Sequence, residues 1–195
     1  MSKTQDFEKQ DKEYIANTYG RFNVCFEKGK GSLLWDVEGK EYIDLGSGIG
    51  VTAFGVDDDE WSKAVIEQTH ALNHISNLYY SVPQIKLAEL LCKKTGMKKV
   101  FFCNSGAESN ECSIKAARKY SHDKYGEGRN VIVTLVNSFH GRTVTTLSAT
   151  GHDVFHQHFF PFTEGFIHTP ANDIDAALKV LAIPAVCAIM MEPIQ

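Results

Sequence analysis

Three short segments carry side chains whose types and spacing could do chemistry. The first is Asn104-Ser105-Gly106-Ala107, which follows an apolar run and opens an amphipathic helix with Glu111 and Lys115 at i,i+4. Small side chains let backbone N–H groups approach an anion, the helix start adds partial positive charge, and Ser105 adds a hydroxyl. That is the composition of a phosphate cradle, although a serine-capped strand–turn–helix has the same wording. The second is Asn137-Ser138-Phe139-His140-Gly141-Arg142-Thr143, again after an apolar run. Phe139 offers a flat face for a ring, and Arg142 a bidentate fork for a carboxylate. His140 taken alone reads as a packed or hydrogen-bonding histidine. The third is Glu192, at the end of another apolar run. A carboxylate there is costly unless solvated or paired. Pairing with Arg142 or with a substrate ammonium stands beside plain solvation at a strand end. Ligands of open α/β sheets gather at the carboxyl ends of strands, so all three segments should open on one face.

Other clusters carry less. His152, His156 and His158 lack a carboxylate or cysteine at a suggestive spacing and read as surface histidines. Asp57-Asp58-Asp59-Glu60 reads as an acidic helix start, not a calcium loop. Gly46-Ser47-Gly48-Ile49-Gly50 is no dinucleotide fingerprint; it is a flexible turn or a loop bordering a ligand site.

The elements that must position these residues are legible in outline. Ser32–Asp36 and Lys40–Asp44 flank Val37-Glu38-Gly39 and predict a hairpin, hence a small antiparallel sheet. Asp58 or Asp59 should cap a helix carrying Trp61, Ala64, Val65 and Leu72 on one face. Pro83 suits the first turn of a second helix and Gly96 its end. Val100–Cys103, Val131–Val136 and Val186–Met191 are short apolar runs separated by helical segments. The middle one is almost uniformly apolar, as strands buried on both faces are, which points to a parallel α/β sheet. Cys103 and Cys187 lie in such runs and read as buried thiols.

Composition narrows the classes. The chain has 195 residues, 43% hydrophobic and 23% charged, and a net charge of −4, which disfavours a broad nucleic-acid surface. Lys93, Lys94, Lys98 and Lys99 read as a solvated helix end. Five cysteines without a C-x-x-C pair indicate neither a zinc knuckle nor a disulfide framework and fit a reducing cytoplasm. Met1–Lys12 is too polar for a signal peptide, and Ala182–Met191 is too short to span a bilayer.

Phe101–Lys115 (FFCNSGAESNECSIK), Phe139–Thr143 (FHGRT) and Met191–Gln195 (MEPIQ) resemble the class III pyridoxal-phosphate-dependent aminotransferases. Leu34–Asp36, Gly39–Asp44, Gly48–Val51 and His74–Asn77 add to the likeness, and the motifs occur in order over almost the whole chain. Gly55-Val56-Asp57 departs from it, standing where many members have a Gly-His pair. The resemblance implies the N-terminal part of the PLP-dependent transferase fold type I. That is an incomplete, mainly parallel sheet with flanking helices, plus a small antiparallel segment. Residues 1–57 would belong to the small domain and 58–195 to the first part of the large, cofactor-binding one. Ser105, Gly106 and Ala107 would hold the phosphate of pyridoxal 5′-phosphate, and Phe139 would stack on its ring. Glu192 would join the polar network beside it, and Arg142 would bind a substrate carboxylate. The implied partners are a small-molecule amino donor and 2-oxoglutarate, with no nucleic acid and no membrane. N2-acetyl-L-ornithine is the favoured donor; ornithine, succinylornithine and 4-aminobutyrate are alternatives. The full-length protein would be a homodimer, with Asn77–Tyr80 reaching the neighbouring site. The family's Schiff-base lysine and the aspartate that pairs with the pyridine nitrogen would fall beyond residue 195, so no catalytic residue is assigned here. The first apolar run would be separated from the other two by strands that come later in sequence. The expectation is part of a longer enzyme, inactive alone. A non-catalytic binding module is the competing class.

Overall fold

Local sequence signals set most of the helix ends. The structure, a computed structural model, describes residues 2–195. It divides into two units, residues 1–82 and 83–195.

In the first unit, α1 (Lys3–Tyr14) is opened by a capping box between Ser2 and Gln5. Strands β1 (Phe26–Lys30), β2 (Leu33–Asp36) and β3 (Glu41–Ile43) form an antiparallel sheet in that order. The expected hairpin is its β2–β3 half, in the register Leu34↔Tyr42. Asp36 organises the turn. Its carboxylate accepts the N–H groups of Glu38 (3.0 Å) and Lys40 (2.8 Å) and the Tyr42 hydroxyl (2.9 Å). The glycine-rich segment is a single turn, α2 (Ser47–Gly50), with left-handed dihedrals at Gly48 and Ile49. Asp58 caps α3 (Asp59–Ala71), accepting the Trp61 N–H at 2.8 Å. The face expected to be apolar buries no residue, and Trp61 is 55% exposed.

The second unit begins in the first turn of α4 (Val82–Thr95), where Pro83 stands as the sequence suggests. It continues through α5 (Gly106–Tyr125), β4 (Val131–Leu135), α6 (Val144–Ala149), β5 (Phe166–Thr169), α7 (Ile174–Leu181) and β6 (Val186–Ile189). The sheet order is β5-β4-β6, and both neighbours run parallel to β4. The β4–β6 ladder is irregular: Val131 pairs with Val186 but Ile132 pairs with Ala188, so Cys187 is an extra residue. Ile114 of α5, Ile132 of β4 and Ala149 of α6 form the buried cluster, with Phe166 and Ala188 packed on it.

Val100–Cys103 joins no ladder among the described residues, in line with a run set apart from the other two. Two expectations are corrected. Cys103 is consequently exposed rather than buried, while Cys187 is half-buried and burial pushes its thiol pKa up. Glu111 is turned away from Lys115 and accepts the Thr143 hydroxyl at 2.5 Å. One strand, β5, is missed altogether: Phe166-Ile167-His168-Thr169 is half polar and short, yet Thr169 is 1% exposed.

Gly151 closes the unit around the end of β4. Its N–H donates to Ser138 O and its carbonyl accepts the Asn137 N–H. A Cβ there would lie 2.1 Å from Leu135 O. We expect Gly151→Ala to destabilise the fold by at least ~2 kcal/mol, read as an earlier midpoint in urea denaturation. An unchanged midpoint would refute this packing.

Candidate functional site

Helix α5 starts where Ser105 leaves helical geometry. Its φ of −155° and ψ of 159° are extended, and its Oγ accepts the Glu108 N–H at 3.2 Å. The Ser105 carbonyl accepts the Ser109 N–H at 3.1 Å. The N–H groups of Gly106 and Ala107 have no acceptor among the described residues. A Cβ built on Gly106 would meet nothing within 4 Å. Two free donors therefore open on space at the positive end of a 20-residue helix. The Glu108 carboxylate folds back on the same turn and accepts the Asn104 N–H at 2.5 Å.

The segment after β4 is pressed against this helix start. Gly141 has a φ of 128°, and a Cβ there would lie 2.7 Å from Ala107 Cβ and 2.6 Å from Thr146 Oγ1. Glycine is thus required twice, by backbone conformation and by space. Asn110 Nδ2 donates to His140 O at 2.7 Å. Thr143 caps α6 and also donates to Glu111. These contacts join two sequence segments that lie 30 to 32 positions apart into one surface.

Glu192 reaches that surface from the end of β6. Its Oε2 accepts the Phe139 N–H at 2.9 Å, and Gln195 Nε2 donates to Asn137 O at 2.8 Å. Phe139 and Glu192, together with Asn110, Ile114, His140 and Met190, line a cleft of about 560 Å³. Phe139 is 40% exposed and stands edge-on to Phe155, with centroids 5.5 Å apart. The Arg142 guanidinium lies 5.2 Å from the same Phe155 ring. Phe155 thus supports both the ring-stacking candidate and the carboxylate fork. The sequence reading passed over it. Its one signal is the aromatic and histidine density of residues 152–162, of which only His152, His156 and His158 were weighed, as surface histidines. His152 and His158 are indeed exposed, but His156 is half-buried, its Nε2 3.0 Å from Leu147 O.

His140 is 4% exposed. Burial holds its imidazole below the ordinary value of 6.5; the Glu192 carboxylate works in the opposite direction, and His168 adds to the lowering. The site therefore combines two free N–H donors, an open aromatic face, a guanidinium, a tethered carboxylate and a neutral buried imidazole. Such a set can hold a phosphorylated, flat, ring-bearing molecule and orient a carboxylate-bearing partner beside it.

Comparison with known proteins agrees with that reading. The model of the family described as "Aminotransferase class-III" matches residues 14–195. The chain is 53% identical over 193 residues to acetylornithine aminotransferase of Haemophilus ducreyi, covering 98% of this chain and 49% of that protein. It is 46% identical over 190 residues to the Wolinella succinogenes enzyme of the same name, covering 96% of this chain and 48% of the relative. Among solved structures, ornithine aminotransferase from Toxoplasma gondii superposes with a TM-score of 0.93 at 27% identity, over 100% of this chain and 47% of that one. Acetylornithine aminotransferase from Elizabethkingia anophelis gives 0.81 at 28% identity, over 100% and 45%. The chain spans about half the length of the relatives it matches.

Two outcomes are expected from this geometry. Gly141→Ala should lift the loop off α5 and cost ~2 kcal/mol or more. It should also expose the Asn110–His140 hydrogen bond to exchange, seen as faster amide exchange at residues 139–143. The second concerns pH. A native His140 pKa below 6.5 means that the unfolded chain binds the proton first. Stability is then complete above 6.5 and falls as pH drops below it, by up to about 1.4 kcal/mol per pH unit. In denaturant titrations at several pH values, His140→Gln should flatten this slope. An equal slope in both proteins would contradict the assignment.

Proposed function

We propose, given that the chain belongs to the class-III aminotransferase family, that it is the N-terminal part of a transaminase acting on N2-acetyl-L-ornithine. The terminal amine of that donor would pass to 2-oxoglutarate, a step of arginine biosynthesis. The family depends on pyridoxal 5′-phosphate. The residues present fit that group, because the Gly106 and Ala107 N–H donors are free and the space before Gly106 is open. When bound, the cofactor supplies an electron sink for bonds at the substrate's amine-bearing carbon.

This chain's own residues would bind and orient. Ser105, Gly106 and Ala107 take the phosphate, and Phe139 presents its exposed face to the ring. Glu192, fixed by the Phe139 N–H, sets the polarity beside the ring. Arg142, braced on Phe155, takes the donor's carboxylate away from the reacting amine. The observation that carries this reading is the docking of Gly141 on Ala107, which places the ring-stacking loop at the helix start that would hold the phosphate. On this reading residues 1–57 belong to the small domain and 58–195 to the cofactor-binding one. The functional protein is a cytoplasmic homodimer. In support, no described helix is long and apolar enough to cross a membrane. Leu78, Tyr79 and Tyr80 are 83%, 69% and 94% exposed, as a segment that reaches a neighbour would be. Ornithine, succinylornithine or 4-aminobutyrate as the donor is the alternative.

The test is the full-length protein assayed with each donor and 2-oxoglutarate. N2-acetyl-L-ornithine should give the highest kcat/KM; a preference for 4-aminobutyrate, whose carboxylate is also remote from its amine but which carries no acetamido group, would overturn the choice of donor. Arg142→Ala should raise KM for the donor by about 10²-fold with a smaller change in kcat. Ser105→Ala should weaken cofactor affinity by about tenfold, measured by equilibrium dialysis. We further propose that the 195 residues alone do not transaminate, because the residues placed here bind rather than transfer protons. Turnover by the isolated chain would refute that.

A further inference from the structure

The segment that follows α6 carries an aromatic ring whose neighbours are site residues. Phe155 ends the short helical turn Asp153–Phe155 and is half-buried. Its ring meets that of Phe139 edge-on at 5.5 Å, and the Arg142 guanidinium lies over it at 5.2 Å. His152 is the third ring against it, 5.4 Å away. The buried cluster of the unit is built on Ile114, Ile132 and Ala149, without Phe155. The turn is fastened on both sides of the ring. Before it, the Gly151 N–H donates to Ser138 O at 3.2 Å and the Gly151 carbonyl accepts the Asn137 N–H at 2.8 Å. After it, His156 Nε2 lies 3.0 Å from Leu147 O, and the Thr163 N–H donates to Ser148 Oγ at 2.8 Å. Phe155 is thus a fixed platform on which the loop bearing Phe139 and Arg142 rests.

We propose that Phe155 is a positioning residue for the donor carboxylate: its ring aims the Arg142 guanidinium and ties that aim to the ring of Phe139. The inference rests on the roles given above to Arg142 and Phe139. An arginine side chain turns about several bonds and loses that freedom when its fork meets a carboxylate. A guanidinium drawn to a ring within about 6 Å is held in advance, and the ring takes no N–H donor from the fork. A carboxylate brace would do the same aiming, but it would occupy donors and offset the positive charge that draws the substrate. Phe139 and Arg142 stand three residues apart in one loop, and both touch the same ring. The edge-on contact with Phe139 sets the two rings against each other, so a displacement of either is felt at the guanidinium. Loss of the Phe155 ring therefore weakens recognition of a carboxylate-bearing donor and spares the chemistry at its amine.

The test uses the full-length protein loaded with pyridoxal 5′-phosphate. The probe is N2-acetyl-L-norvaline, which keeps the donor's carboxylate and acetamido group but has no terminal amine to react. Its dissociation constant is measured by calorimetry. Phe155→Leu should raise that constant by about tenfold, and Phe155→Tyr, which keeps the ring, should hold it within about twofold of wild type. Added to Arg142→Ala, Phe155→Leu should have no further effect, because the ring acts only through the guanidinium. In assays with N2-acetyl-L-ornithine, Phe155→Leu should raise KM by a similar factor and leave kcat within about threefold. A leucine variant that binds the probe as wild type does, or that loses kcat with KM unchanged, would overturn the proposal. So would a tyrosine variant as weak as the leucine one, or additive effects in the double variant. If Phe155→Leu does not fold, fluorinated phenylalanines at position 155 decide. They keep the ring's shape and weaken its pull on a cation, so affinity should fall with each added fluorine; a flat series would overturn the proposal. Arg142→Ala separates the two levels. Unchanged affinity in that variant would sink the functional reading and this inference with it, whereas a loss confined to Arg142→Ala would sink this inference alone.

Discussion

The second unit depends on one close approach: Gly141 against Ala107. No side chain fits between them, so the loop after β4 and the first turn of α5 share a wall rather than merely facing each other. Everything chemical in the unit is measured from that wall. The free N–H pair of Gly106 and Ala107 lies on one side of it. Phe139 and Arg142 lie on the other, both resting on Phe155. The hydrogen bonds of Asn110 and Glu111 to the loop fasten the two sides at successive residues of one helix turn. Geometry of this kind belongs on rigid elements, because small displacements of a binding group are expensive in rate.

The electrostatic character of the site follows from what the wall excludes. Glu192 keeps its carboxylate beside a backbone donor at the edge of the cleft, while His140, which follows Phe139 in the same loop, is buried, and burial lowers its pKa. The carboxylate at the rim and the buried imidazole behind it set the charge of that surface. The positive end of α5 supplies the opposite sign without a lysine or arginine in its first turn.

Legibility in the sequence tracked locality. Asp58, Pro83 and Ser105 carry signals that involve only their own few neighbours, and helix starts fall at or beside them. The uniformly apolar run of β4 announced a strand buried on both faces. Strand pairing is not local. Val100–Cys103 has a strand's composition but no ladder partner among the described residues. Phe166–Thr169 has two polar residues in four and is nonetheless paired along its whole length with β4. The motif residues Ser105, Gly106, Ala107, Phe139, Arg142 and Glu192 stand out in the sequence as candidates by residue type, and the roles given to them are those of the proposed function. Phe155 and the Glu111–Thr143 bond were not, because their roles exist only once two distant segments touch.

The bulge at Cys187 carries a consequence for the carboxylate. Side chains alternate between the faces of a strand, so an odd insertion reverses the phase of all that follows. Because β6 holds one residue more than β4 between Val131 and Ile132, the count from Ala188 to Glu192 starts from the cleft face instead of its opposite. Cys187 thus works as a phase shifter: a thiol with no chemistry of its own decides whether an acid four residues downstream looks into the site or away from it. A regular ladder, with Cys187 opposite Ile132, would leave every motif intact to the eye and put Met191 where the carboxylate stands.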